Sequence, residues 1–192
     1  VQYPIDINNY WSARKDHDLY GLTRVIANHF FADANTAIDV GSYVGGLICD
    51  LGWIRKRIAT DIQDLRSNWC PVTDVEFLMG DAFGLDFSDK FDLVISNQTI
   101  ENLEEPSLFI EKLLSLGRGL IITTTYQTPS GLIEGHIQDP IDMDKFLGWF
   151  PCELDSVAIC YHPLRHISHI IGVVNKSHPY YAWRELLLFF NA

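Results

Sequence analysis

At 192 residues the chain is long enough to bury one sizeable core, and we expect a single domain spanning 1–192. No stretch approaches the roughly 18 consecutive apolar residues of a membrane-spanning helix, so no membrane partner is expected. A formal charge of −11, with Arg55-Lys56-Arg57 as the one basic cluster, repels phosphate backbones and argues against nucleic acid.

In chain order, residues 3–11 read as irregular, with Pro4 and Asn8-Asn9. A helix is expected over about 12–31, because Leu19, Leu22, Val25, Ile26, His29 and Phe30 recur at helical spacing. His29 on that face reads as a core histidine. Residues 36–40 form a first buried strand. It runs into Gly41-Ser42-Tyr43-Val44-Gly45-Gly46 and then into a short helix ended by Gly52. Gly41 and Gly45 lack a Cβ where backbone must approach a ligand, and the helix start turns free N–H groups toward the turn. Arg55-Lys56-Arg57 is read as a solvated turn leading into a second strand, 57–60, which closes on Asp61. That acid lies about twenty residues beyond Gly41, the spacing at which a β-α-β unit returns a carboxylate to the same sheet edge.

Residues 75–79 make a third strand ending at Gly80-Asp81-Ala82, and 91–96 a fourth ending at Asn97-Gln98. Pro106 suits the first turn of a helix with Phe109, Ile110, Leu113 and Leu114 on its apolar face, and Gly117 stops it. Residues 119–125, with three successive threonines, form the fifth strand. A polar loop from Tyr126 leads to Asp139-Pro140, read as a cap and first turn of a helix reaching Trp149. Residues 153–161 and 167–175 are two further strands. The link between them is too short for a crossover helix, so they must be antiparallel. A closing helix is expected over 181–190. Alternation of strand and helix means an α/β fold with a mostly parallel sheet and helices on both faces.

Cys49, Cys70, Cys152 and Cys160 form no C-x-x-C pair. Cys49 and Cys160 read as core fillers. Neither a disulfide framework nor a zinc site is expected, and His162, His166 and His169 are not read as metal ligands. No signal peptide opens the chain, and scattered reduced thiols fit a cytoplasmic setting.

These features together resemble the class I S-adenosylmethionine-dependent methyltransferases, the small-molecule branch in particular, over roughly residues 10–176. Asp39-Val40-Gly41-Ser42-Tyr43-Val44-Gly45 is similar to that family's D-x-G-x-G-x-G turn, with Tyr43 standing where the central glycine usually stands. Asp61 and Gly80-Asp81-Ala82 fall at the family's next two strand ends, and the final antiparallel pair is the family's variation on a Rossmann sheet. The resemblance implies S-adenosylmethionine as cofactor. Asp61 would take the ribose diol, and Asp81 and Ala82 the adenine. Gly41 and Gly45 would lie at the methionine end, and Tyr10 and Arg14 near its carboxylate. Asp39, Ile62 and Asn97 complete the implied set.

The acceptor would lie at the open edge among Gln98, Glu101, Asn102, Tyr126, Glu134, His136 and Asp139. His136, in the loop after the fifth strand, is the candidate base for O- or N-methylation, since a neutral imidazole takes a proton near neutral pH. The expected acceptor is a small molecule; a sugar or phosphorylated metabolite of surface polysaccharide synthesis is one guess. Whether the protein is a monomer or a homodimer is open. A catalytically inactive binding module is the alternative. A nicotinamide dehydrogenase is disfavoured because Gly41, Gly45 and Gly46 do not make G-x-G-x-x-G.

Overall fold

A computed structural model describes residues 11–12, 14–68, 74–161 and 167–176. Its elements run α1 (Asp18–Phe30), β1 (Thr36–Val40), α2 (Gly46–Asp50), β2 (Lys56–Asp61), β3 (Val75–Met79), β4 (Phe91–Asn97), α3 (Pro106–Leu116), β5 (Gly117–Tyr126), α4 (Met143–Gly148), β6 (Ser156–Tyr161) and β7 (Ser168–Asn175). The seven strands form one sheet in the order β3-β2-β1-β4-β5-β7-β6. The pairs from β3 to β5 are parallel, and β7 lies antiparallel to both β5 and β6. This is the expected α/β Rossmann-like sheet with its antiparallel finish.

Strand side chains alternate between faces, so the sheet supports two cores. Ala37, Ala59, Leu93, Ile95, Ile121 and Ile171 face α1 and α2. Ile38, Ile58, Val94, Leu120, Ile122 and Ile170 face α3 and α4. Phe109, Ile110 and Leu113 of α3 and Phe146 of α4 are fully buried there, each contributing about 1.5–3 kcal/mol of transfer free energy. Among the described residues no helix is long and apolar enough to cross a membrane.

Several boundaries differ from the sequence expectation. Helix α1 begins at Asp18, not Ser12, because the chain before it folds into turns: Trp11 C=O accepts from the N–H groups of both Arg14 and Lys15. Leu19, Leu22, Thr23, Ile26 and Ala27 make its buried face. Val25 and His29 sit off that stripe and are exposed, so His29 is not a core histidine. Arg57 is no solvated turn residue. It is buried in β2, donates to the carbonyls of Ile48 and Cys49 at the end of α2, and pairs with Asp74. The last described helix starts at Met143, where Asp142 Oδ1 accepts from Lys145 N–H at 2.8 Å. Asp139, joined to Pro140 by a cis peptide bond, is therefore not its cap; its carboxyl turns inward instead. Strand β5 is longer than expected and opens at Gly117, which the sequence marked only as a helix stop. Tyr10, Cys70, the 162–166 link and the expected helix over 181–190 lie outside the described residues.

Candidate active site

The carboxyl ends of β1, β2, β3, β4 and β5 open on one side of the sheet, beside the point where strand order reverses between β1 and β4. Open α/β sheets bind ligands at such a crevice. A cleft of about 920 Å³ lies there. Of the candidate residues, Arg14, Asp39, Gly41, Asp61, Ile62, Asp81, Ala82, Asn97, Gln98, Glu101, Asn102, Glu134 and His136 all line it. Gly45, Tyr126 and Asp139 are not on its wall, and Gly46 stands where Gly45 was expected.

The turn after β1 is held by backbone and by Asp61. Gly41 and Ser42 N–H both donate to Thr60 C=O. Gly41 has φ +77, and a Cβ there would press into the Thr99 side chain, 2.9 Å from its Cγ2. Tyr43 takes φ +50, the left-handed conformation that its glycine-like position demands. Its N–H donates to Asp61 Oδ2 at 2.8 Å, while Gln63 N–H donates to Asp61 Oδ1 at 3.0 Å. Asp81 Oδ1 accepts from Phe83 N–H at 2.9 Å and so fixes the turn after β3.

Asp39 is nearly fully buried at the head of β1, and its Oδ1 has no hydrogen-bond partner among the described residues. Burial, reinforced by the charge of Asp61, pushes its carboxyl from an ordinary 3.8 up to about 7. A buried anion without a partner is costly, so burial favours the neutral carboxyl here unless a cationic group pairs with it.

A second cluster sits across the cleft. His136 Nδ1 lies 2.8 Å from Asp139 Oδ2, and Asp139 Oδ1 accepts from Thr125 Oγ1 at 2.8 Å. A carboxylate only accepts, so Nδ1 carries the imidazole proton and Nε2 presents its lone pair. Glu101 lies 3.7 Å from that nitrogen through Oε1, and its Oε2 accepts from Thr124 Oγ1 at 2.9 Å. The loop is tied in place by Ile137 and Gln138 N–H, which both donate to Glu101 C=O. Asp139 thus reaches the site through His136 instead of touching the cleft, and Glu101 is more deeply placed than its sequence position implied.

Sequence reading missed Trp11, Thr99 and Phe83 on the wall. Trp11 stacks edge-on against Tyr20 with centroids 4.9 Å apart and covers Gly46, where any Cβ would overlap its indole. Gly46, in the motif but unexplained by it, was the available signal.

This sheet order, parallel with an antiparallel finish, is that of the class I methyltransferase fold. Residues 38–117 match the family model described as a methyltransferase domain. The matched segment runs from β1 through α3 and carries the turn after β1, Asp61 and Asp81. Among solved structures it is similar to the N-terminal domain of EvdMO1, determined with S-adenosylhomocysteine and D-fucose (TM-score 0.61, 16% identity, 83% of this chain and 84% of that one). It is also similar to the N-methyltransferase NodS from Bradyrhizobium japonicum WM9 (0.63, 10%, 83% and 97%). The plantazolicin methyltransferase BpumL, in complex with a triazolic desmethylPZN analog and S-adenosylhomocysteine, is a third (0.62, 12%, 88% and 90%). At these identities the likeness is one of fold. No curated protein matches the chain in sequence.

Proposed function

We propose that the chain transfers a methyl group from S-adenosylmethionine to an oxygen or nitrogen of a small-molecule acceptor, with His136 taking the acceptor's proton. The observation that carries this reading is the buried Thr125–Asp139–His136 series, which presents Nε2 to the same cleft that Asp39, Asp61 and Asp81 line. Bound in that cleft, the donor supplies a methyl group on a sulfonium sulfur.

The residues present fit it. The unpaired Asp39 carboxyl suits the donor's ammonium group, and Asp61 and Asp81, fixed by backbone N–H groups, suit the ribose diol and the adenine amine. Ile62 and Ala82 would flank the base, Gly41 and Gly45 shape the turn, Asn97 would close it, and Arg14 would serve the carboxylate, as would Tyr10, which lies outside the described residues. Gln98, Glu101 and Asn102 hold the acceptor. Holding nucleophile and methyl in line supplies much of the acceleration, up to roughly 7–11 kcal/mol in favourable cases. His136 adds proton removal, and Asp139 keeps its ring oriented and stabilises the imidazolium.

A sugar, an amino sugar included, is the acceptor class we favour within this reading; D-fucose in the EvdMO1 domain structure supports the sugar part of it. The alternative, an inactive binding module, draws on Tyr43 alone, and Tyr43 keeps the glycine-like turn. Calorimetric titration with S-adenosylmethionine, followed by S-adenosylhomocysteine release with a sugar and amino-sugar panel, tests the reading. His136→Ala is expected to keep donor affinity and lower turnover about 10²–10⁴-fold. Undiminished turnover in the folded variant removes His136 from the chemistry.

A further inference from the structure

Glu101 holds the information about which nucleophile this cleft accepts. Its side chain is completely shielded from solvent, one oxygen is satisfied by Thr124, and Oε1 has no hydrogen-bond partner among the described residues while facing the cleft. At 3.7 Å, Oε1 and His136 Nε2 are too far apart to bond each other directly. With Glu101 ionised both present lone pairs, because the imidazole proton is committed to Asp139. Two acceptors side by side are satisfied by one atom that brings two protons. A hydroxyl brings one; an ammonium brings two or three.

The charge of the wall agrees with the geometry. Asp18, Asp39, Asp61, Asp81, Glu101 and Glu134 line the cleft, against Arg14 as its one lysine or arginine among the described residues. A low-dielectric cleft lined this way concentrates cations and repels phosphate. Burial, with a smaller push from the charge of Asp139, raises the Glu101 carboxyl to about 7, although the bond from Thr124 opposes this. A cation on Oε1 opposes that rise.

Resting on the methyltransferase reading above, we propose that the acceptor is a primary or secondary amine that enters as its ammonium form between Glu101 and His136, so that the reaction is N-methylation. One N–H proton passes to His136 Nε2. The freed nitrogen lone pair forms the N–C bond as the C–S bond breaks, its electron pair staying on sulfur. The methylated amine leaves as an ammonium, and the proton on His136 returns to solvent.

The test does not need the natural acceptor. Two donor mimics carry nitrogen in place of the sulfonium sulfur, one bearing a 2-aminoethyl arm and the other a 2-hydroxyethyl arm. Calorimetry compares their binding to the wild type and to Glu101→Gln. The aminoethyl compound is expected to bind at least about tenfold tighter to the wild type, the scale of a hydrogen bond to a charged group. In Glu101→Gln that advantage falls away, while S-adenosylhomocysteine binds both proteins alike. Equal affinities for the two arms in the wild type overturn the amine assignment, as does an advantage that survives Glu101→Gln. If Glu101→Gln does not fold, the wild-type comparison decides alone. Failure of S-adenosylhomocysteine itself to bind overturns the methyltransferase reading, and this proposal with it.

Discussion

Asp39→Asn is the most informative single change, because the donor-binding role proposed for Asp39 is set against its cost to stability. The native carboxyl is raised from 3.8 to about 7 by burial and by Asp61. At about 1.4 kcal/mol per pH unit, that gap corresponds to a ceiling of about 4 kcal/mol. Its sign follows from proton binding. Between about pH 4 and 7 the native state holds a proton that the unfolded chain has released, so stability falls as pH rises through this window and levels off above it. Asparagine cannot titrate. The ligand-free variant should therefore gain on the wild type as pH rises from 5 to 8, whatever its buried amide costs at both. Glu101, also raised to about 7, leaves its own share of the slope in both proteins. The donor's ammonium favours the carboxylate, so binding near pH 6 should release a proton from the wild type, an effect absent in Asp39→Asn. The variant should also bind S-adenosylhomocysteine roughly ten- to a hundredfold more weakly. Thermal melts across pH and calorimetry in buffers of different ionisation enthalpy read both effects. A melting-temperature gap that is the same at pH 5 and pH 8 refutes the reasoning.

Asp139→Asn should leave donor affinity intact and lower turnover at least about tenfold, because an amide can leave the imidazole in the wrong tautomer; steady-state kinetics with unchanged KM for the donor checks it. Gly41→Ala forces a side chain into a left-handed position at about 1–2 kcal/mol and pushes on Thr99. Its melting temperature should drop, and Thr99→Ala in the same chain should recover the steric part but not the backbone part. Asp61→Ala should weaken S-adenosylhomocysteine at least about tenfold, since it removes the proposed ribose partner and the carboxylate that accepts from Tyr43 N–H; an unchanged dissociation constant would take Asp61 out of the site.

Much of the sheet was legible because strand periodicity and turn chemistry are local. The bounds 36–40 and 75–79 match the observed β1 and β3 to the residue, and Pro106 opens α3 as expected. The acids at the ends of β1, β2 and β3 converge because parallel strands deliver their ends to one edge. What was not legible depends on side chains meeting across the chain. Asp139-Pro140 has the local chemistry of a helix start, yet a bond to Thr125, fourteen residues away, claims the carboxylate. Glu101 read as one of several acceptor-side candidates at the open edge, and only its packing against Thr124 shows it to be buried. Arg57 belonged to a basic run that composition treats as solvated, whereas the open carbonyls at the end of α2 draw it inside.

The three successive threonines of β5 each grip a different neighbour: Thr123 holds Asn97, Thr124 holds Glu101 and Thr125 holds Asp139. One rail in mid-sheet therefore carries Glu101 and Asp139 on the proposed acceptor side and Asn97 on the proposed donor side, while Asp39, Asp61 and Asp81 stand on β1 to β3. The two halves can drift apart in evolution. On the proposed reading, exchanging the Thr124 or Thr125 hydroxyl re-aims one acceptor-side mounting and leaves the three aspartates of the donor side in place.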